Sequence, residues 1–315
     1  MTRYFFIRVA VLVLQSLPYG IALGISRMLA VTAHAVRFRH DVMHGNLVLA
    51  LGDDVDEAGR QRIASEVYRH WGRTFMADIP HLLRTVRRDN WSSVVDVTAL
   101  GPLQQLHAEG RGVILLSGHL GNPEFGGWLG ALVGLPIYSV ANLQDNPRLN
   151  SLLEKLRTSS GQRILYKQGA LRKGREVLER GDIVAVLADL NDRREGITVD
   201  FFGREASTIQ GPAALSVRSG APILPVAFVR DGHGPHYHVA YGDPIRPVPG
   251  ASLGTEIHRI TQAYTSALER FIRLWPEQWV WFHRRWKEPR TLISPSTGIH
   301  PCASSRERTP VGDIS

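Results

Sequence analysis

From Trp91 onward, short runs rich in aliphatic and β-branched residues, each bounded by Gly or Pro, alternate with longer amphipathic stretches. This alternation leaves few folds open. Residues 113–117, 137–140, 163–166, 183–187, 198–202, 223–229 and 238–241 predict strands, and 122–133, 147–159, 170–180, 211–219 and 255–271 predict the helices between them. Strands and helices taken in turn predict an α/β fold, with a central, mostly parallel or mixed sheet and helices on both faces. Upstream, Ile63, Val67, His70, Trp71, Phe75 and Ile79 recur at three- and four-residue steps, so 54–88 reads as helical. No internal repeat or Gly/Ser linker divides this body, which suits either one large α/β domain or two smaller ones in 315 residues.

The amino end follows a different pattern. Val9 to Ser26 carry no ionisable side chain except Tyr19; Arg3 and Arg8 precede this run, and Arg27, Arg37 and Arg39 follow it. The run approaches the roughly 20 apolar residues that span hydrocarbon. Gln15 and Pro18 interrupt it, so a broken, re-entrant or interfacial helix fits as well as a clean span. It is long for the core of a signal peptide, and no small-x-small cleavage site follows. The reading is an N-terminal membrane-associated helix over 1–39, an anchor or an interfacial helix, with a buried helix of the main body as the alternative. The mild excess of arginine after the run points to a cytoplasmic body. Residues 289–315, rich in Ser, Pro, Thr and charge, predict a disordered tail.

Charge narrows the partners. Lys and Arg number 37 against 29 Asp and Glu, a net charge of +8, which suits nucleic acid, acidic lipid, a phosphorylated substrate or an acidic carrier protein. No helix-turn-helix signature, aromatic-rich RNA motif or basic repeat supports nucleic acid. The single cysteine, Cys302, excludes a disulfide framework and any multi-cysteine metal site, and H-E-x-x-H is absent, so no metal is expected.

The sharpest local feature is GVILLSGHLGNPEFGG, Gly112 to Gly127. A predicted strand ends at Ser117–Gly118, His119 sits in the turn, and Glu124 opens the next helix. Sites in open α/β sheets lie outside the carboxyl ends of strands, as here. The H-x-x-x-x-E spacing lets Glu124 fold back to one ring nitrogen of His119, fixing the tautomer and leaving the other nitrogen as a base. Gly118 and Gly121 permit close approach of the backbone to a substrate, and free amides at the helix start suit developing negative charge. The bland alternative makes His119 a turn residue and Glu124 a first-turn acid favoured by the helix dipole. Ser117 lacks the G-x-S-x-G elbow of a serine nucleophile.

The segment SGHLGNPE resembles the G-H-x-G-N-W-E motif of the late acyltransferases of lipid A biosynthesis, the lauroyl/myristoyl transferase family. Four further segments resemble the family in its own order: NPRLNSLLEKLR (Asn146–Arg157), VAVLADLNDRREGITVDFFGREAST (Val184–Thr208), GPAALSVRSGAPILPV (Gly211–Val226) and PEQWVWFHRRWK (Pro276–Lys287). The similarity as a whole covers essentially residues 1–288. Pro123 stands where the family usually has Trp, and Asp189–Leu190 replaces its usual Asp-Gln, departures that bear on the acceptor more than on the reaction.

The resemblance implies an acyltransferase catalytic domain over 40–288. It implies a reaction in which a fatty acyl chain moves from an acyl carrier protein thioester to a hydroxyl of a lipid A precursor or related glycolipid. No cofactor is implied beyond the thioester, or an acyl-CoA in its place, as co-substrate. His119 is then the base and Glu124 its orienter. Arg157 holds the oxyanion or a phosphate, Asn122 braces the turn beside Gly121, and Asp189 lines the opposite wall to meet the sugar or Arg157. The implied partners are acyl carrier protein, the glycolipid acceptor and an anionic membrane surface, at the cytoplasmic face of a bacterial inner membrane. An acyl-CoA-dependent glycerolipid or mannoside acyltransferase is the alternative within the class. Arg172, Lys173 and Arg175 offer a face to an acidic carrier protein, or a solvated helix face. Trp275, Trp279, Trp281 and Trp286, interleaved with Arg284, Arg285 and Lys287, suit either lipid headgroups or a packed final element.

Overall fold

Pro18 has no amide hydrogen to continue a helix. The apolar N-terminal run is accordingly broken there, in the computed structural model, into α1 (Thr2–Ser16) and α2 (Tyr19–Ala35). The structure describes residues 2–286 apart from 53, 97–99 and 233, so the expected disordered tail lies outside the described residues. Among those described, no single helix is long and apolar enough to cross a membrane; α2 and α3 (His40–Leu51) reach that length together but are bent by 83°. One face of α2, with Ala22, Ser26 and Ala30, is buried, while Ile21, Met28, Val31 and Val36 lie on its surface.

The helix expected over 54–88 is three pieces. Asp56 caps α4 (Glu57–Arg73) by accepting from the Gly59 amide at 2.7 Å. A π-helical turn at Thr74–Asp78 follows, then α5 (Ile79–Thr85). The wider turn shifts the helical register, and Pro80 removes a donor just beyond it. As a result Phe75 is half exposed (51%) instead of core-facing, and Asp78 is wholly buried.

After α6 (Gly101–His107) come β1 (Val113–Ser117), α7 (Pro123–Leu132), β2 (Ile137–Ala141), α8 (Pro147–Thr158), β3 (Arg163–Tyr166), α9 (Ala170–Glu179) and β4 (Ile183–Leu187). A small hairpin, β5 (Ile197–Asp200) and β6 (Glu205–Thr208), precedes α10 (Gly211–Ser219), β7 (Ile223–Asp231), β8 (His236–Tyr241) and α11 (Leu253–Leu274). The main sheet has six strands in the order β3-β2-β4-β1-β7-β8, all parallel except β8 against β7. The expected α/β fold is thus present with a mixed sheet. β6 had no clear sequence signal, being four residues of small and polar type. The expected strand over 198–202 stops at Asp200, because Phe202 (φ 59°) and Gly203 (φ 70°) turn back towards β6.

Strand alternation sorts the core into two layers. Ile114, Leu116, Ala227 and Val229 face one side of the sheet, and Val113, Leu115, Val226 and Phe228 face the other. Both faces are covered, so β1 is buried along its whole length.

The C-terminal tryptophans join this core rather than a headgroup layer. Trp279 and Trp281 are 1% and 0% exposed, their rings meeting edge to face. Arg285, expected among the surface cations, is also buried; its guanidinium lies over the Phe201 ring and donates to the Ser207 carbonyl at 2.7 Å. Burial pulls its pKa down to about 10.

Candidate active site

In the parallel pair of β1 and β4, Ser117 stands opposite Leu187. Two residues beyond each of them, at the carboxyl edge of the sheet, are His119 and Asp189. The Asp189 carboxylate is entirely buried, and its Oδ1 accepts from His119 Nδ1 at 2.8 Å. Its Oδ2 accepts two further N–H bonds, from the His119 backbone amide at 2.7 Å and from the Trp279 indole at 2.8 Å. Three donors on one carboxylate fix its position and its charge.

With Nδ1–H given to Asp189, Nε2 is the lone-pair nitrogen, and the ring remains about one-third exposed (34%) to a cleft. Burial pulls the His119 pKa down, but the Asp189 charge and hydrogen bond, with a smaller contribution from the Glu124 charge, outweigh it and leave it raised. For Asp189 burial acts upward, and is overcome by His119, Trp279 and the backbone bond, so its pKa is lowered. An imidazole so held can take a proton at Nε2 and keep it as a stabilised imidazolium.

Glu124 does not hold the imidazole, contrary to the expectation from the H-x-x-x-x-E spacing. The inward ring nitrogen is already taken by Asp189, and Glu124 turns instead to Arg157. The guanidinium grips both carboxylate oxygens, Nε to Oε2 at 2.9 Å and a second, shorter bond to Oε1. Asp189 in turn meets neither Arg157 nor open solvent; it is the group behind the histidine.

The turn itself is clamped by parts distant in sequence. The Gly121 amide donates to the Gln278 carbonyl at 3.1 Å, and the Val280 amide donates to the His119 carbonyl at 3.1 Å. The C-terminal segment therefore pairs with the histidine turn. His70 closes the other side, its Nε2 lying 3.1 Å from the Gly121 carbonyl; burial lowers its pKa to about 4, so it is neutral and acts as a donor. Gly121 does not offer its backbone to a ligand. It has φ 65°, and a Cβ there would sit 1.9 Å from the Phe228 carbonyl oxygen of β7. Gly121→Ala is expected to lower stability by about 2–4 kcal/mol, from the positive φ and the clash together, which a denaturant midpoint would register.

Asn122 is fully buried. Its Oδ1 caps α7 by accepting from the Phe125 amide at 3.1 Å, and its Nδ2 donates to the Tyr237 hydroxyl at 3.1 Å. It braces the turn, with both ends of its carboxamide engaged inside the fold. The helix start is also poorer in free donors than expected, since Pro123 has no N–H and the Phe125 amide is taken. Arg157 lines the same cleft as His119, and Lys167 is a second cation in that lining.

The cleft measures about 430 Å³ and runs past His119, Glu124, Arg157, Lys167 and Asn191 to His283. His283, overlooked in the sequence, is a second imidazole on this cleft, its pKa lowered chiefly by burial. At Phe75, Ile79, Glu124 and Arg157 the cleft adjoins an apolar pocket of about 230 Å³. Leu14 of α1, Leu83 of α5, Trp128 of α7, and Leu153 and Leu156 of α8 are among its walls. The α9 cations lie elsewhere: Arg172 and Arg175 each pair with a glutamate one turn on, Glu176 and Glu179, at 2.7 Å, which reduces the charge that this face offers to a partner.

Residues 1–288 match the family described as bacterial lipid A biosynthesis acyltransferase. The phosphatidylinositol mannoside acyltransferase of Mycolicibacterium smegmatis is 28% identical over 239 residues, 74% of either chain. The lipid A biosynthesis palmitoleoyltransferase of Escherichia coli is 26% identical over 279 residues, 86% of either chain. The lauroyltransferase of the same pathway in Escherichia coli is 26% identical over 265 residues, 80% of this chain and 81% of its own.

Proposed function

Because the chain belongs to the bacterial lipid A biosynthesis acyltransferase family, and is therefore an enzyme that transfers acyl groups, we propose the following reaction. A fatty acyl chain moves from an acyl carrier protein thioester to a hydroxyl of a lipid A precursor or related glycolipid. His119 Nε2 takes the proton of the acceptor hydroxyl as its oxygen bonds to the thioester carbonyl carbon. The tetrahedral oxyanion collapses, the carbon–sulfur bond breaks, and the proton passes from Nε2 to the leaving thiolate. Asp189 holds the imidazole in the productive tautomer and balances the imidazolium. Arg157, oriented by Glu124, faces the negative charge that develops on the carbonyl oxygen. No metal or cofactor enters this scheme.

The observation that carries the reading is an imidazole backed by a buried carboxylate in a cleft of mixed polar and apolar lining that adjoins an apolar pocket. The pocket suits an acyl chain, and the cleft suits a sugar. Leu156→Trp fills the pocket, and is expected to slow transfer of long chains about tenfold or more while sparing short ones. Competition between thioesters of different length, read by mass spectrometry of the product, checks this.

The enzyme works at a membrane surface, the cytoplasmic face of the inner membrane. Leu12 and Val13 of α1 and Ile21, Met28 and Val31 of α2 are exposed. Arg27, Arg37 and Arg39 in the same N-terminal region are also exposed, and supply cations for anionic lipid. A second acceptor, a phosphatidylinositol mannoside, is favoured by the 28% identity to the mycobacterial-type enzyme. Incubating the purified protein with each acceptor and with either acyl carrier protein thioester or acyl-CoA, followed by lipid mass spectrometry, separates these readings. No acyl transfer from any donor to any glycolipid would refute the function.

A further inference from the structure

A carboxylate removed from water must be paired or it costs several kcal/mol. Asp78, in the π-helical turn, is 0% exposed and has no part in the reaction described above. Its Oδ2 accepts from Arg230 Nε at 2.6 Å and from the Tyr237 hydroxyl at 2.7 Å, and its Oδ1 accepts from the Tyr19 hydroxyl at 2.8 Å. Arg230 also bridges to the Tyr19 oxygen at 3.2 Å. One carboxylate thus gathers α2, β7 and β8.

The bond to Tyr237 has a direction. A carboxylate only accepts, so the Tyr237 hydrogen points at Asp78; burial, with the Asp78 charge and hydrogen bond, keeps the phenol protonated. The hydroxyl oxygen then accepts, and its donor is Asn122 Nδ2. This fixes which end of the Asn122 carboxamide faces which way. Nδ2 must face Tyr237, so Oδ1 must face the Phe125 amide and cap α7. A flipped carboxamide would set two N–H donors against each other at the first turn of α7, beside Pro123 and Glu124 at the rim of the cleft. The Asn122 amide, through its own bond to the Phe228 carbonyl at 2.9 Å, ties the same turn to β7.

We propose that Asp78 is a positioning residue of the acyltransferase, acting through Tyr237 on the Asn122 carboxamide to set the start of α7 and the Glu124–Arg157 pair beside His119. The inference rests on the acyl-transfer reading and adds a relay that begins in the π-turn and ends at the active-site helix. Tyr19, on the other carboxylate oxygen, supplies an internal control: its bond to Asp78 is of the same kind but does not lead to Asn122.

The test measures kcat and KM in detergent micelles for the full-length chain. Tyr237→Phe removes only the hydroxyl, and leaves Asp78 paired with Arg230 and Tyr19. Its kcat is expected to fall about ten- to a hundredfold, the scale of a displaced catalytic group, with both KM values little changed. Tyr19→Phe is expected to stay within about twofold of the wild type in kcat, a factor worth less than 0.5 kcal/mol on the rate scale. Asn122→Ser keeps a capping oxygen but lacks the amide donor; it is expected to match Tyr237→Phe, and adding Tyr237→Phe to it should cause no further fall. Should Tyr237→Phe not fold, Asn122→Ser alone decides. An unchanged kcat in these variants, equal losses in Tyr19→Phe and Tyr237→Phe, or additive losses in the double variant would overturn the relay. An inactive wild type would instead refute the acyl-transfer reading.

Discussion

The His119→Ala enzyme is expected to transfer acyl groups about 10²–10⁴-fold more slowly than the wild type, the usual loss when a general base is removed, while remaining folded. The ring is partly exposed to the cleft, so its removal opens little of the core. Asp189 is not orphaned by the change, since the backbone amide of residue 119 and the Trp279 indole still donate to Oδ2. Product formation by mass spectrometry, beside a circular dichroism spectrum of the same sample, tests both halves. Near-normal turnover would remove His119 from the chemistry.

Asp189→Asn is expected to cost a comparable 10²–10⁴-fold in kcat, as an amide does behind a catalytic histidine in triad enzymes. The geometry explains why so conservative a change is severe. The Oδ2 position receives two N–H donors and must stay an oxygen. The new amide nitrogen therefore sits where Oδ1 was, opposite His119 Nδ1, and donates to it. The ring proton is forced onto Nε2, and the base is lost while the side chain barely moves. Glu124→Gln lacks this consequence, because Glu124 bonds Arg157 and leaves the His119 tautomer untouched. Ranking the two variants by single-turnover rate distinguishes the acid behind the histidine from the acid beside it.

Much of this site was legible in the sequence, and the rest was not for definite reasons. Strand β1 is a five-residue aliphatic run followed by a Gly-His turn, so the position of His119 at a strand's carboxyl end could be read directly. So could the break at Pro18 and the helix start at Asn122. The pairing of His119 was misread because a local spacing suggested a local acid. Which strand lies beside β1 is set by the crossovers of the sheet; β4, 70 residues downstream, is the one inserted next to it, and it brings Asp189. The C-terminal tryptophans looked amphipathic in one dimension. Trp279 and Trp281 are buried because that segment pairs with the histidine turn, which no periodicity announces. The π-turn leaves no mark in the helical pattern beyond Pro80, and the Asp78–Arg230 pair spans 152 residues. His70 was read only as one apolar-face position of a helix, and His283 lay unremarked within the segment Pro276–Lys287.

The most direct measurement is the pH dependence of kcat/KM for the wild type and for Asp189→Asn, with Glu124→Gln alongside. A base must be neutral to act, so the rate rises with pH through the His119 pKa. In the wild type that rise is expected above the pH of an ordinary imidazole, because the carboxylate holds the proton on the ring. Without the carboxylate charge, burial acts nearly alone, and the rise in Asp189→Asn moves to lower pH, further than in Glu124→Gln. An acid limb that stays fixed when Asp189 is replaced, or that moves only with Glu124, would contradict the account.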